Sequence, residues 1–132
     1  LGGKIGSPFM SGYCASKHAV EAFSESLRRE LKPYRIKVII VAPGSVSTPI
    51  WKEVEKQKEQ NKYYKTKYGI SFKKILNSLE SFDRNSLSMK QLTNTIIQSI
   101  EIKNPKIRYN PTKDPIQKIW PYIPKKIMDS FF

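Results

Sequence analysis

Cysteine and histidine are nearly missing: the 132 residues hold one of each, Cys14 and His18. One cysteine excludes an intramolecular disulfide framework. One histidine leaves a histidine-based metal site or a Ser–His–Asp triad nothing to build on, so no metal is expected. Acidic residues are scarce, 11 against 24 Lys plus Arg, giving a net charge of +13. The longest apolar run, Val38 to Pro43, falls far short of the roughly 18–20 residues of a membrane-crossing helix and suits a buried strand. What is present is a 39% hydrophobic content, enough for a core, in a length that fits one domain at most. Lysine outnumbers arginine 19 to 5 and isoleucine reaches 16. That bias suggests AT-rich coding, so part of the charge is compositional, although it still attracts phosphate or an anionic membrane.

The chain divides by composition into residues 1–50, balanced and patterned; 51–74, polar and Lys-rich; 75–102, amphipathic; and 103–132, rich in Pro, aromatics and Lys. The spacing predicts a helix over Ser11–Leu31, with Pro8 and Gly12 at its start and Pro33 at its end. Its apolar positions are Ala15, Ala19, Ala22, Phe23, Leu27 and Leu31, with Glu25 four residues before Arg29. Ile36–Ala42 reads as a strand covered on both faces. A helix feeding such a strand is half of a βαβ unit and implies a parallel sheet. One strand cannot make a sheet, and the chain opens at Leu1-Gly2-Gly3 as if within a loop. The expectation is therefore a fragment whose upstream half carries the other strands. Pro49–Tyr68 reads as an exposed helix or lid. Ser88–Ile102 reads as a helix capped by Ser88, with Leu92, Ile96, Ile97 and Ile100 as its stripe. Lys106–Tyr109 reads as a short strand, and a terminal helix follows Pro124.

Tyr13 and Lys17 stand four apart and share one helix face. A phenol with an unperturbed pKa near 10 is a poor acid–base group at neutral pH. A lysine cation about 5 Å away, at an effective dielectric of about 20, favours phenolate by roughly 3 kcal/mol, enough for a usable proton donor and acceptor. Alone, a Tyr-x-x-x-Lys pair also describes an ordinary exposed helical pair.

The surroundings change that reading. Gly12-Tyr13-Cys14-Ala15-Ser16-Lys17-His18-Ala19-Val20 leads into Phe23–Leu31, then Ile36-Lys37-Val38, then Pro43-Gly44-Ser45-Val46-Ser47-Thr48-Pro49. Residues 1–50 closely resemble the short-chain dehydrogenase/reductase family, with helix, strand and Pro-Gly loop in family order. Residues 88–132 resemble it more loosely, and Arg108-Tyr109 and the Pro124…Asp129 spacing look like its hydroxysteroid and retinol dehydrogenase branch. The resemblance implies an α/β fold: the C-terminal part of a Rossmann-like doubly wound parallel sheet, a three-layer α/β/α domain lacking its N-terminal half. Residues 51–87 would form the substrate lid and 88–132 the late helix, last strand and C-terminal segment. Tyr13 would be the general acid in reduction and the base in oxidation. Lys17 would assist it and hydrogen-bond the nicotinamide ribose. Pro43 and Gly44 would shape the cofactor loop, and the Val46 backbone and Thr48 hydroxyl would meet the nicotinamide carboxamide. The cofactor would be NAD or NADP, and the substrate an apolar or lipid-like alcohol or carbonyl compound. A homodimer or homotetramer in the cytoplasm would be expected, with peripheral membrane contact as a further option.

The departures are as informative. The family's catalytic serine lies thirteen residues before the tyrosine, one position before Leu1. The Gly-rich turn, the ribose selector and the structural asparagine lie further upstream. Ser7 and Ser11 are wrongly spaced to replace the serine. The isolated chain is thus expected to be inactive. Two alternatives stay open: a basic module for nucleic acid or membrane surfaces, and an inactive truncated family member. Cys14 and His18 read as packing or surface residues. Lys62–Tyr68 interleaves cations with aromatics but reads as a solvated lid segment, so nucleic acid is the weaker partner. Ile116–Met128 mixes aromatics, aliphatics and lysines in the manner of a membrane-interface segment.

Overall fold

The computed structural model describes residues 3–49 and 62–130. Helix α1 runs Ser11–Glu30. Its interior holds no proline, and Arg28 and Arg29 in its last turn complement the helix dipole. Pro33 then forces a 3-10 turn, Lys32–Tyr34, which ends with Arg35 in the left-handed region at φ 58°. The Glu25–Arg29 pair forms at 3.2 Å. The expected apolar face of α1 is not its buried face. Ala15, Ala19 and Ala22 are exposed, Phe23 is 67% exposed, and only Cys14 is buried. The described elements lie instead against the side of α1 that carries Cys14 and Glu21.

The strand expected over Ile36–Ala42 is shorter and displaced. Strand β1 is Ile40–Val41 and pairs in parallel with β2, Arg108–Tyr109, placing Ile40 opposite Arg108 and Val41 opposite Tyr109. The Ile40, Ala42 and Gly44 N–H groups donate to the Ile107, Tyr109 and Pro111 carbonyls, each at 2.9 Å. Pairing therefore continues past the expected end, into the Pro-Gly loop. In this register Ile36–Ile39 would face residues 104–107, where Pro105 has no N–H to give. The Lys37 ammonium instead caps the Lys103 carbonyl. Ile40 and Val41 are half-buried, not covered on both faces. The parallel order nonetheless demands a long crossover, and two helices occupy it.

Helix α2, Gly69–Arg84, was not foreseen, and its sequence straddles two composition zones. Its buried residues, Phe72, Ile75 and Leu76, follow the i, i+3, i+4 rule. Residues 50–61, the rest of the expected lid helix, lie outside the described residues. Helix α3, Met89–Glu101, starts at the predicted cap: Ser88 Oγ accepts from the Gln91 N–H at 3.2 Å, and Gln91 Oε1 accepts from the Ser88 N–H at 3.0 Å. Its apolar stripe lies largely open, with Ile96, Ile97 and Ile100 exposed. After β2 come α4, Ile116–Ile119, a 3-10 turn, Trp120–Tyr122, and α5, Lys125–Asp129, directly after Pro124. Cys14, Phe72, Ile75, Leu76, Leu87 and Met128 form the buried apolar set. No described helix is long and apolar enough to cross a membrane.

Candidate active site

Helix α1 brings Tyr13 and Lys17 together. The Lys17 ammonium lies 5.6 Å from the centroid of the Tyr13 ring, and Tyr13 is half exposed. One turn on, the Glu21 carboxylate takes an ion pair from Arg108 of β2 and a longer one, 3.8 Å, from Lys4. Arg108 is oriented by a second bond, Nε to Asn110 Oδ1 at 2.7 Å. The helix face bearing the pair is thereby tied to the sheet. Residue 3 also lies against this face. A Cβ on Gly3 would sit 2.8 Å from Glu21 Cγ and 3.0 Å from the Lys17 carbonyl oxygen, so only glycine allows the approach.

The loop after β1 is held from two sides. Gly44 donates to Pro111 as described. On the other side, the Leu87 N–H donates to the Ser45 carbonyl at 2.8 Å and the Ser47 N–H donates to the Leu87 carbonyl at 2.9 Å. In a parallel bridge these bonds belong to the residues flanking Val46. The Val46 N–H and C=O therefore point away from Leu87, and no described residue hydrogen-bonds them. The Ser45 hydroxyl is buried without a partner among the described residues. Buried polar groups without partners are uncommon; Arg28 Nε on α1 is another among the described residues. Pro43 and Gly44 are half-buried, and Thr48 is exposed. No described hydrogen bond or ion pair joins Tyr13 or Lys17 to residues 43–48.

Other predicted residues fall where chemistry does not need them. Cys14 is buried and accepts the Ser7 N–H at 3.4 Å. His18 Nδ1 lies 2.8 Å from the Cys14 carbonyl, on an exposed side chain. Tyr64 and Tyr68 from the cation–aromatic run pack edge-on into Phe72 and Phe9. Glu21, Leu87, Thr112 and Gln117 were not singled out in the sequence. Their partners lie far along the chain, 87 positions for Glu21 with Arg108, and no local spacing signals them. Among the described residues no three His, Cys, Asp or Glu side chains gather as metal ligands.

Comparison with known proteins finds a matching family and several relatives. Residues 1–59 match the short chain dehydrogenase family model. The chain is 30% identical over 132 residues to the NADPH-dependent 3-dehydrocapnine reductase of Ornithobacterium rhinotracheale, covering 98% of this chain and 46% of that protein. It is 33% identical to retinol dehydrogenase 16 of Rattus norvegicus over 92% of this chain and 42% of the relative. It is 34% identical to the 3-ketodihydrosphingosine reductase of Bacteroides thetaiotaomicron over 82% and 39%. The chain thus spans less than half the length of these relatives.

Proposed function

Since the chain belongs to the short-chain dehydrogenase/reductase family of oxidoreductases, we propose that its protein interconverts an apolar alcohol and the matching ketone or aldehyde, with NAD or NADP. The observation that carries this reading is the Tyr13–Lys17 pair on α1, accompanied by a loop whose Val46 backbone groups are left unbonded. The residues present fit the nicotinamide end of such a cofactor. Val46 offers a free donor and acceptor, Thr48 an exposed hydroxyl, and Pro43-Gly44 a loop pinned on both sides. When bound, the cofactor supplies hydride exchange at carbon. The chain's own residues handle the proton. The Tyr13 hydroxyl donates it to the carbonyl oxygen in reduction and takes it from the hydroxyl in oxidation. The Lys17 ammonium holds a positive charge beside that ring and would hydrogen-bond the ribose of the cofactor. An apolar substrate accords with relatives named for retinol and for 3-ketodihydrosphingosine. The test uses the protein expressed from its complete reading frame, with NADH or NADPH and a panel of long-chain aldehydes and ketones. Loss of absorbance at the reduced nicotinamide band is expected with at least one pair, and no loss with any pair overturns the reading.

A second reading concerns where the protein works. Ile119, Ile127 and Tyr122, the last 84% exposed, share the C-terminal segment with exposed Lys118, Lys125 and Lys126. Apolar and cationic side chains together suit an anionic bilayer surface. Co-sedimentation with vesicles rich in phosphatidylglycerol, and not with phosphatidylcholine alone, is expected, and Lys118→Glu/Lys125→Glu/Lys126→Glu should abolish it. Equal recovery with both vesicle types, or no recovery with either, removes this reading.

A further inference from the structure

We propose that Thr112 and Gln117 are positioning residues that set the Pro43-Gly44 loop, and through it the unbonded Val46 amide; the inference rests on the cofactor reading above. Both side chains press on Gly44. A Cβ built there would stand 2.7 Å from Thr112 Oγ1 and 3.0 Å from Thr112 Cβ, and it would overlap Gln117 Oε1. The glycine is therefore required for what abuts it, since its backbone φ is ordinary.

The two side chains are fixed in turn. Thr112 Oγ1 donates to Gln117 Oε1 at 3.1 Å and accepts the Asp114 N–H at 3.1 Å. Gln117 is buried on α4. Its carbonyl oxygen, wedged between Thr112 and Gly44, forms a stop for the loop on the β2 side, where the Gly44 N–H already bonds Pro111. Leu87 forms the opposing stop at Ser45 and Ser47. The loop sits between them, with the Val46 N–H and C=O directed away from Leu87. Remove the Thr112–Gln117 wedge and a gap opens against Gly44, into which the loop relaxes. A shift on the order of 1 Å at a positioning element costs catalytic complexes up to about a hundredfold.

On the cofactor reading the loop would meet the nicotinamide end, so the effect is expected there. That separates positioning from plain stability. The experiment measures Kd for NAD(P)H and for its nicotinamide-free part, ADP-ribose or the 2′-phosphorylated form, on the protein from its complete reading frame. Thr112→Val keeps the volume, removes the donor and leaves Gln117 Oε1 unbonded. Gln117→Ala removes the wedge. Both should weaken NAD(P)H by about tenfold while changing ADP-ribose by less than about twofold. Thr112→Ser, which keeps the hydroxyl, should bind both as wild type does. NAD(P)H affinity unchanged in both variants overturns the inference, as does parallel loss of both ligands, which marks a structural role only. Should Gln117→Ala not fold, Thr112→Val against Thr112→Ser decides alone. A wild-type protein that binds neither NADH nor NADPH overturns the cofactor reading and this inference with it, a result distinct from the others.

Discussion

Replacing Tyr13 by Phe should lower kcat by about a hundredfold or more, the scale that general acid–base catalysis contributes, with cofactor affinity changed by less than about twofold. The substitution removes one oxygen. That oxygen has no partner among the described residues, and the ring is half exposed. No packing is lost and no buried group is left unsatisfied, so folding should be unaffected. The ring that Lys17 approaches at 5.6 Å also remains. What goes is the hydroxyl assigned above to give the proton to the carbonyl oxygen. Steady-state turnover and cofactor binding, measured on the same preparation of the complete protein, check the split. Turnover within a few-fold of wild type would remove Tyr13 from the chemistry. A matched fall in turnover and in cofactor affinity would make it a binding residue only.

The prominence of this pair in the sequence has a physical cause. Tyr13 and Lys17 are related by helical spacing, so one turn of α1 suffices to place them, and α1 is bounded by Pro33. The Ser88 cap was legible for the same reason, since a capping box is complete within four residues. The supports of the site are not local. Arg108 reaches Glu21, Leu87 bridges Val46, and Gln117 meets Gly44 only after the chain has crossed over through α2 and α3. Strand length failed likewise. The β-branched run Ile36–Ala42 expresses a preference, but pairing starts where the partner offers groups to pair with, after Pro105. Helix α2 escaped because its lysines, Lys73 and Lys74, lie between the buried Phe72 and Ile75 and blur the stripe. The exposed face of α1 shows the converse. Ala15, Ala19 and Ala22 belong to the apolar positions that the sequence marks on this helix, and the described residues leave them exposed.

The second large effect is expected at Phe72. This ring is buried and stacks edge-on against Phe9 at 5.4 Å and Tyr64 at 5.4 Å, while Phe9 also meets Tyr68 at 6.1 Å. The cluster joins α2 to the segment just before Tyr13. Phe9 pays for its place with φ 62°, a left-handed conformation costing a non-glycine residue about 1–2 kcal/mol. Edge-to-face pairs contribute about 0.5–1.5 kcal/mol each beyond burial, so two of them offset that strain. Phe72→Ala removes the partner and opens a cavity, a change that costs buried aromatics about 3–5 kcal/mol. Ile70, on the same helix and 77% exposed, is the control, because Ile70→Ala should stay within about 0.5 kcal/mol. Hydrogen exchange in α2 and chemical denaturation of the complete protein read both. If the cluster holds α2 in place, Phe72→Ala speeds exchange over Gly69–Leu76 before it touches the amides of α1, and Phe9 is then free to leave its strained backbone. If Phe72→Ala and Ile70→Ala behave alike, the rings only share a surface, and the strain at Phe9 must be offset by some other contact.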